Sequence, residues 1–216
     1  MHTIIKLLIA VGAYLLLRLS GWEEAQYILY PVILFVTFLH EFGHAFFGAI
    51  SGGEVISLYI DPNTSGVTQV ATNYPGITTM GGYIGSALFG NLLFALGVRK
   101  PEWSSGALKV MGGIMVAVGV LWFSSIITTV MLLIAAVGCW LIGKTHHHFG
   151  SFVVMFLGLA SIARILEDHQ VGPSSDLAAY EQHVGILPAE VWMYVWFGIA
   201  ILITYKNVRY LLATNK

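Results

Sequence analysis

Charge is what this chain has least of. Asp, Glu, Lys and Arg together make up only 10% of its 216 residues, against about 25% in ordinary globular domains. So few charges cannot cover a water-exposed surface, which excludes a soluble domain. Cationic excess is absent too. The formal net charge is −1, so there is no basic footprint for nucleic acid. Cysteine occurs once, as Cys139. One thiol allows neither an intramolecular disulfide nor a thiolate zinc cage, and inside an apolar run it reads as a small packing residue. No low-complexity segment or internal repeat is visible.

What is there is apolar sequence. Hydrophobic residues make up 57% of the chain and the mean hydropathy is +0.79. Runs able to cross a bilayer recur at about 3–20, 27–50, 76–98, 149–166 and 188–205. Residues 106–143 are too long for one span, and "WFSSIITT" near their middle predicts a break into two. The expected fold is an α-helical polytopic membrane protein of six to seven transmembrane helices, forming one membrane-embedded domain over 1–216. The first run follows Lys6 as a signal peptide would, but "RLSGWEEAQ" has no clear small-x-small cleavage site, so it reads as a retained span.

Two stretches do not read as spans. Residues 54–72, "EVISLYIDPNTSGVTQVAT", place β-branched residues on either side of a turn signal and predict a β-hairpin. Its Val55–Ile60 strand is the expected edge for an extended substrate; a self-contained cap over a site is the alternative. Residues 167–187 form a polar segment, within which "DLAAYEQHVGI" predicts a short helix capped by Ser174 or Ser175. The third span is rich in small residues, with Gly81, Gly82, Gly85, Ser86 and Gly90 at spacings that let helices approach closely. Asn91 reads as a hydrogen bond to a neighbouring helix, with a cavity-lining role as the second reading.

Against this background "VTFLHEFGHAFFGAISGG", residues 36–53, stands out. His40 and His44 lie one helical turn apart, so both imidazoles can reach one metal ion. Glu41 is turned about 100° around the helix, beside the metal rather than on it. That pattern suits a general base acting on water at a zinc ion with an open coordination position. Ionisable groups inside an apolar helix are costly and mark function. A third ligand must come from elsewhere. Asp61 sits at the expected turn. His146, His147 and His148 read as an interfacial polar run with loose metal affinity at most. The segment 167–187 offers Asp168, His169, Asp176, Glu181 and His183, and spacing does not choose between Asp176, Asp168 and His183.

Three stretches together resemble one family. They are "FLHEFGHAFFGAISGGEV", "GGYIGSALFGNLLF" and "SSDLAAYEQHVGILPAEVWMYVW". The chain is similar to the site-2 protease class of intramembrane zinc metalloproteases, and most of all to its small, compact bacterial branch. The resemblance implies one zinc ion bound by His40, His44 and a downstream Asp, for which Asp176 is the matching position, with Glu41 as general base. Better-studied members carry that Asp in an Asn/Pro-rich segment ending in Asp-Gly, which this chain lacks. The implied activity is hydrolysis of a peptide bond in a membrane-spanning or membrane-proximal substrate, in a bacterial inner membrane. The partners are then a membrane protein or peptide and the lipid bilayer. A metal-binding membrane scaffold or chaperone without proteolytic activity is the alternative, and an intact Glu41 speaks against it. A transporter is disfavoured by the scarcity of acidic residues in the other spans.

Seven spans would put Arg18, Arg99, Lys100, Lys109, Lys144, Lys206, Arg209 and Lys216 on one side of the membrane and Lys6 and Arg164 on the other. The positive-inside rule then places the carboxyl terminus in the cytoplasm and runs the second span outward. Relatives that the chain resembles tend to place the motif toward the cytosol instead.

Overall fold

The computed structural model describes residues 3–167, 172 and 175–214. In chain order the elements are α1 (Thr3–Leu19), α2 (Glu23–Ile50), β1 (Glu54–Ile60), β2 (Gly66–Ala71), α3 (Pro75–Arg99), α4 (Ser104–Leu121), α5 (Ile126–Gly143), α6 (His147–Glu167), α7 (Asp176–Val184) and α8 (Ala189–Thr214). Six of the helices, α2 to α6 and α8, are long and apolar enough to cross a membrane. The 17 residues of α1 span about 26 Å at 1.5 Å per residue, slightly less than a hydrocarbon core of about 30 Å. The chain is therefore an integral membrane protein of mostly helical architecture with one small antiparallel sheet.

Small residues decide how the central helices meet. A Cβ on Gly81 would lie 2.6 Å from the carbonyl oxygen of Gly43, and one on Gly85 would lie 2.8 Å from the Gly43 Cα. Only hydrogen at these positions lets α2 and α3 pack backbone to backbone. Farther along α3, Gly90 meets Gly158 and Ser161, and Gly97 meets Ser151 and Met155, so α6 runs antiparallel to α3. α4 and α5 form an antiparallel pair, with Gly112 against Ala136 and the Ser105 hydroxyl donating to the Gly143 carbonyl. Asn91 is buried in this framework. Its amide donates to Ala87 O at 2.9 Å and to Thr204 Oγ1 at 3.1 Å, and its Oδ1 accepts from Asn207 Nδ2 at 2.9 Å. It ties α3 to α8 and lines neither cavity beside the site described below, so the first reading holds and the cavity-lining one does not.

The hairpin folds back along α2 rather than out into water. At its base the Gly53 amide donates to Gly48 O, 2.9 Å away. At its tip Thr37 Oγ1 donates to Thr64 O and Tyr30 OH donates to Pro62 O, each at 2.8 Å. The strands thus lie at the depth of the α2 span, where every peptide group needs a partner or a polar cavity. On its outer edge β1 finds partners in the break between α4 and α5. Leu58 N–H donates to Trp122 O at 3.1 Å, Ser124 Oγ donates to Leu58 O at 2.6 Å, and Thr128 Oγ1 accepts from Ile60 N–H and donates to Ile60 O. The expected substrate edge, Val55–Ile60, is therefore already engaged.

That pattern exposes the other strand. Leu58 pairs with Thr68 and Ile60 with Gly66. Because Leu58 and Ile60 point their peptide groups away from β2, these are non-hydrogen-bonded pairs. Thr68 and Gly66 must likewise point theirs away from β1. The sheet has only two strands among the described residues, so β2 is the open edge.

Candidate metal centre

α2 carries His40 and His44 on one face because four residues make just over one turn. Asp176 arrives at the start of α7, whose first turn is set by Ser175. The Ser175 hydroxyl accepts from Ala178 N–H at 3.2 Å, an N-cap bond. Ser174, the other expected cap, lies outside the described residues. Leu177 and Tyr180 of α7 pack with Tyr83, Ile165 and Trp196, which presses the short helix against α3 and α8.

The three side chains converge. His40 Nε2 and His44 Nε2 are 3.1 Å apart, and Asp176 Oδ2 lies 2.9 Å from the first and 3.1 Å from the second. Tetrahedral zinc ligands at about 2.0 Å from the ion sit about 3.3 Å from one another, so two imidazoles and a carboxylate at this spacing suit zinc with little movement. His44 Nδ1 is 2.9 Å from the Thr78 carbonyl. Donation from Nδ1–H to that carbonyl leaves the Nε2 lone pair facing His40 and Asp176. The Asp176 carboxyl is partly buried, which opposes ionisation. When no ion separates them, the charge of a protonated His44 and hydrogen bonds from both histidines outweigh that burial and hold the carboxyl below the usual range.

Space for the imidazoles comes from α3. A Cβ on Gly82 would lie 2.5 Å from His44 Cε1 and 2.7 Å from His40 Cε1. Tyr83 stands edge-on to His40 with ring centroids 5.3 Å apart. Glu41 is 5% exposed and points toward the hairpin instead of the ligand group. Thr68 Oγ1 lies 2.7 Å from Glu41 Oε2 and 3.0 Å from the Glu41 carbonyl, so its single proton serves one or the other. A Cβ on Gly66 would come within 2.6 Å of the same carboxylate. A cavity of about 590 Å³ joins the histidines, Asp176 and Glu41 to Gly66, Val67 and Thr68 on the open edge.

The remaining candidates fall elsewhere. His183 is in the last turn of α7, outside the group, and Asp168 and His169 lie outside the described residues. His146, His147 and His148 form an exposed stack, with ring centroids 4.1 to 5.3 Å apart, where α6 begins. Asp61 bonds the hairpin's own turn, accepting from Asn63 N–H and Tyr59 OH. Gly66, Thr68 and Thr78 have no local sequence signal, because what they do depends on strand register and helix contact. Gly82 was visible only as one of a row of small residues.

A family model described as Peptidase M50B-like matches residues 7–206. No curated protein and no solved structure matches the chain.

Proposed function

The chain belongs to the Peptidase M50B-like family, within the site-2 protease class of membrane metallopeptidases, and on that premise we propose that it is a zinc endopeptidase cutting a peptide bond at membrane depth. The observation that carries this reading is the meeting of His40, His44 and Asp176 beside a buried Glu41, in a cavity walled by an open strand edge. His40, His44 and Asp176 would hold one zinc ion, whose Lewis acidity lowers the pKa of water and polarises a peptide carbonyl. Glu41 would accept a proton from the attacking water and return it to the departing amine. The Thr68 hydroxyl bonds Glu41 Oε2 and keeps its carboxylate in place.

The substrate must lose its helical hydrogen bonds before its backbone can be reached. The outward peptide groups of Gly66 and Thr68 offer replacements, so an extended segment added to β2 runs past Glu41 and the histidines. The β2 strand takes the role expected of β1.

Zinc content and cleavage, measured together on the purified protein, test the proposal. Glu41→Gln should retain zinc and lose cleavage by about 10²–10⁴-fold, the usual worth of a general base. His44→Ala and Asp176→Ala should lose zinc. Unchanged cleavage in Glu41→Gln would remove the base, and unchanged zinc content in Asp176→Ala would remove the third ligand.

A further inference from the structure

At the start of α6 the sequence sets His146, His147 and His148 in a row, and the structure gathers their rings instead of splaying them. Successive side chains in a regular helix diverge by about 100°. His146 stands just before the helix, and its carbonyl accepts from Phe149 N–H at 2.9 Å and Gly150 N–H at 3.2 Å, which fixes the turn. The rings of His146 and His148 are stacked at 13° with centroids 5.3 Å apart, and the His147 ring lies 4.6 Å from the first and 4.1 Å from the second. One nitrogen of each ring lies within 4.8 Å of the other two, and all three side chains are exposed. Lys144 is drawn aside, its Nζ 3.3 Å from the centre of the Trp140 ring. His148 makes a further interaction of its own, which an imidazole accommodates because only one of its two nitrogens binds an ion.

We propose that His146, His147 and His148 form a second metal site, which takes an exchangeable divalent transition-metal ion. Three imidazoles suit Zn²⁺, Ni²⁺ and Cu²⁺ rather than Mg²⁺ or Ca²⁺, which take oxygen ligands. Nitrogens about 2.0 Å from such an ion sit about 3.3 Å from one another, and exposed side chains close the remaining gap by rotating. Three protein ligands leave a coordination position to water, and exposure lets the ion come and go. The site is separate from His40, His44 and Asp176. Gly82 of α3 faces those two histidines, whereas Gly97 meets Ser151 in the first turns of α6. The 15 positions from Gly82 to Gly97 make about 22 Å of helix, so the two groups share no ion. An ion held by the row would tie the residue before α6 to its first turn. The proposal does not depend on the endopeptidase reading.

The test uses the full-length protein in nanodiscs, purified without a histidine tag. Zinc per chain is counted by mass spectrometry after equilibration with Zn²⁺ and removal of free ion. The variant combining His146→Asn, His147→Asn and His148→Asn should carry one ion fewer than the wild type. His44→Ala should also carry one fewer, by loss of the other ion. In the His44→Ala background, His147→Asn alone should weaken Zn²⁺ binding at the row by at least about tenfold, since even the outer partners of metal ligands are worth that much. Cu²⁺ added in the same background should displace Zn²⁺, as the Irving–Williams order requires, and its electron paramagnetic resonance spectrum should show three imidazole nitrogens. Hydrogen exchange across 145–150 should slow when the ion is added. Equal zinc counts in the wild type and the triple variant, unchanged affinity in His147→Asn, or fewer than three nitrogens on Cu²⁺ would overturn the site. A triple variant that fails to fold leaves the decision to His147→Asn and the copper spectrum. An unchanged count in His44→Ala would tell against the first metal centre alone.

Discussion

At the scale of single residues, the proposed mechanism gives two glycines separate parts, one beside the metal ligands and one beside the base. Gly82 leaves room for both imidazoles, and Gly66 leaves room for the Glu41 carboxylate. Gly82→Ala should push His40 and His44 off the ligand position and weaken zinc binding by about 10- to 100-fold, the cost of disturbing groups that orient ligands. Competition against a graded zinc chelator reads this directly. Gly66→Ala should keep its zinc and lose turnover by about 10²-fold, since a displacement of about 1 Å at a reacting group costs that much. Equal zinc loss in both variants would contradict the division. His40, Glu41 and His44 were legible in the sequence because a helix converts their spacing into one face. Asp176, 136 positions from His40, stood out through resemblance alone. Gly66, Thr68 and Gly82 were not legible as site residues, since each acts only through a neighbour brought in from another element.

At the scale of elements, the hairpin and α7 are the parts whose attachment matters most. Thr128 serves both peptide groups of Ile60, at 3.2 and 3.0 Å. Thr128→Val keeps the shape and strands both groups at membrane depth, a cost of about 1–3 kcal/mol for each unsatisfied group. Hydrogen exchange across 54–71 should rise in that variant while α3 stays protected. α7 meets α2 at the metal centre through Asp176. Zinc removal by a chelator should therefore raise exchange in 176–184 more than in α2, and lower the unfolding temperature as expected when a ligand that favours the folded state is withdrawn. The hairpin itself was legible in its β-branched flanks and turn signal. Its open edge was misassigned, because which strand stays open depends on what packs beside it. The break between α4 and α5 supplies that packing from more than 60 positions away.

At the scale of the whole molecule, the cations gather at one end. Arg99 and Lys100 close α3, Lys144 follows α5, and Arg99 reaches α8 through Asn207 at 2.8 Å and the Tyr210 ring at 3.9 Å. α2 and α3 are antiparallel, so this is the end where α2 begins, while His40 and His44 lie in the half of α2 nearer its finish. The positive-inside rule then sets the carboxyl terminus in the cytoplasm and opens the metal centre toward the opposite face. A reporter fused after Thr214 should read cytoplasmic, and one inserted after Gly53 should read external. The reverse pair would show that the charge bias does not set the topology.

The sequence alone determined that this chain lives in a bilayer, that its second span carries a pair of imidazoles with a carboxylate beside them, and that a hairpin follows. Those are properties of composition and short spacing, which local geometry converts into structure without help from distant residues. Only the tertiary structure decided that Asp176 joins the two histidines and that β2 is the open strand. Each of these depends on helices packing through glycine contacts and on strand register, and no short stretch of chain contains both partners of such a contact.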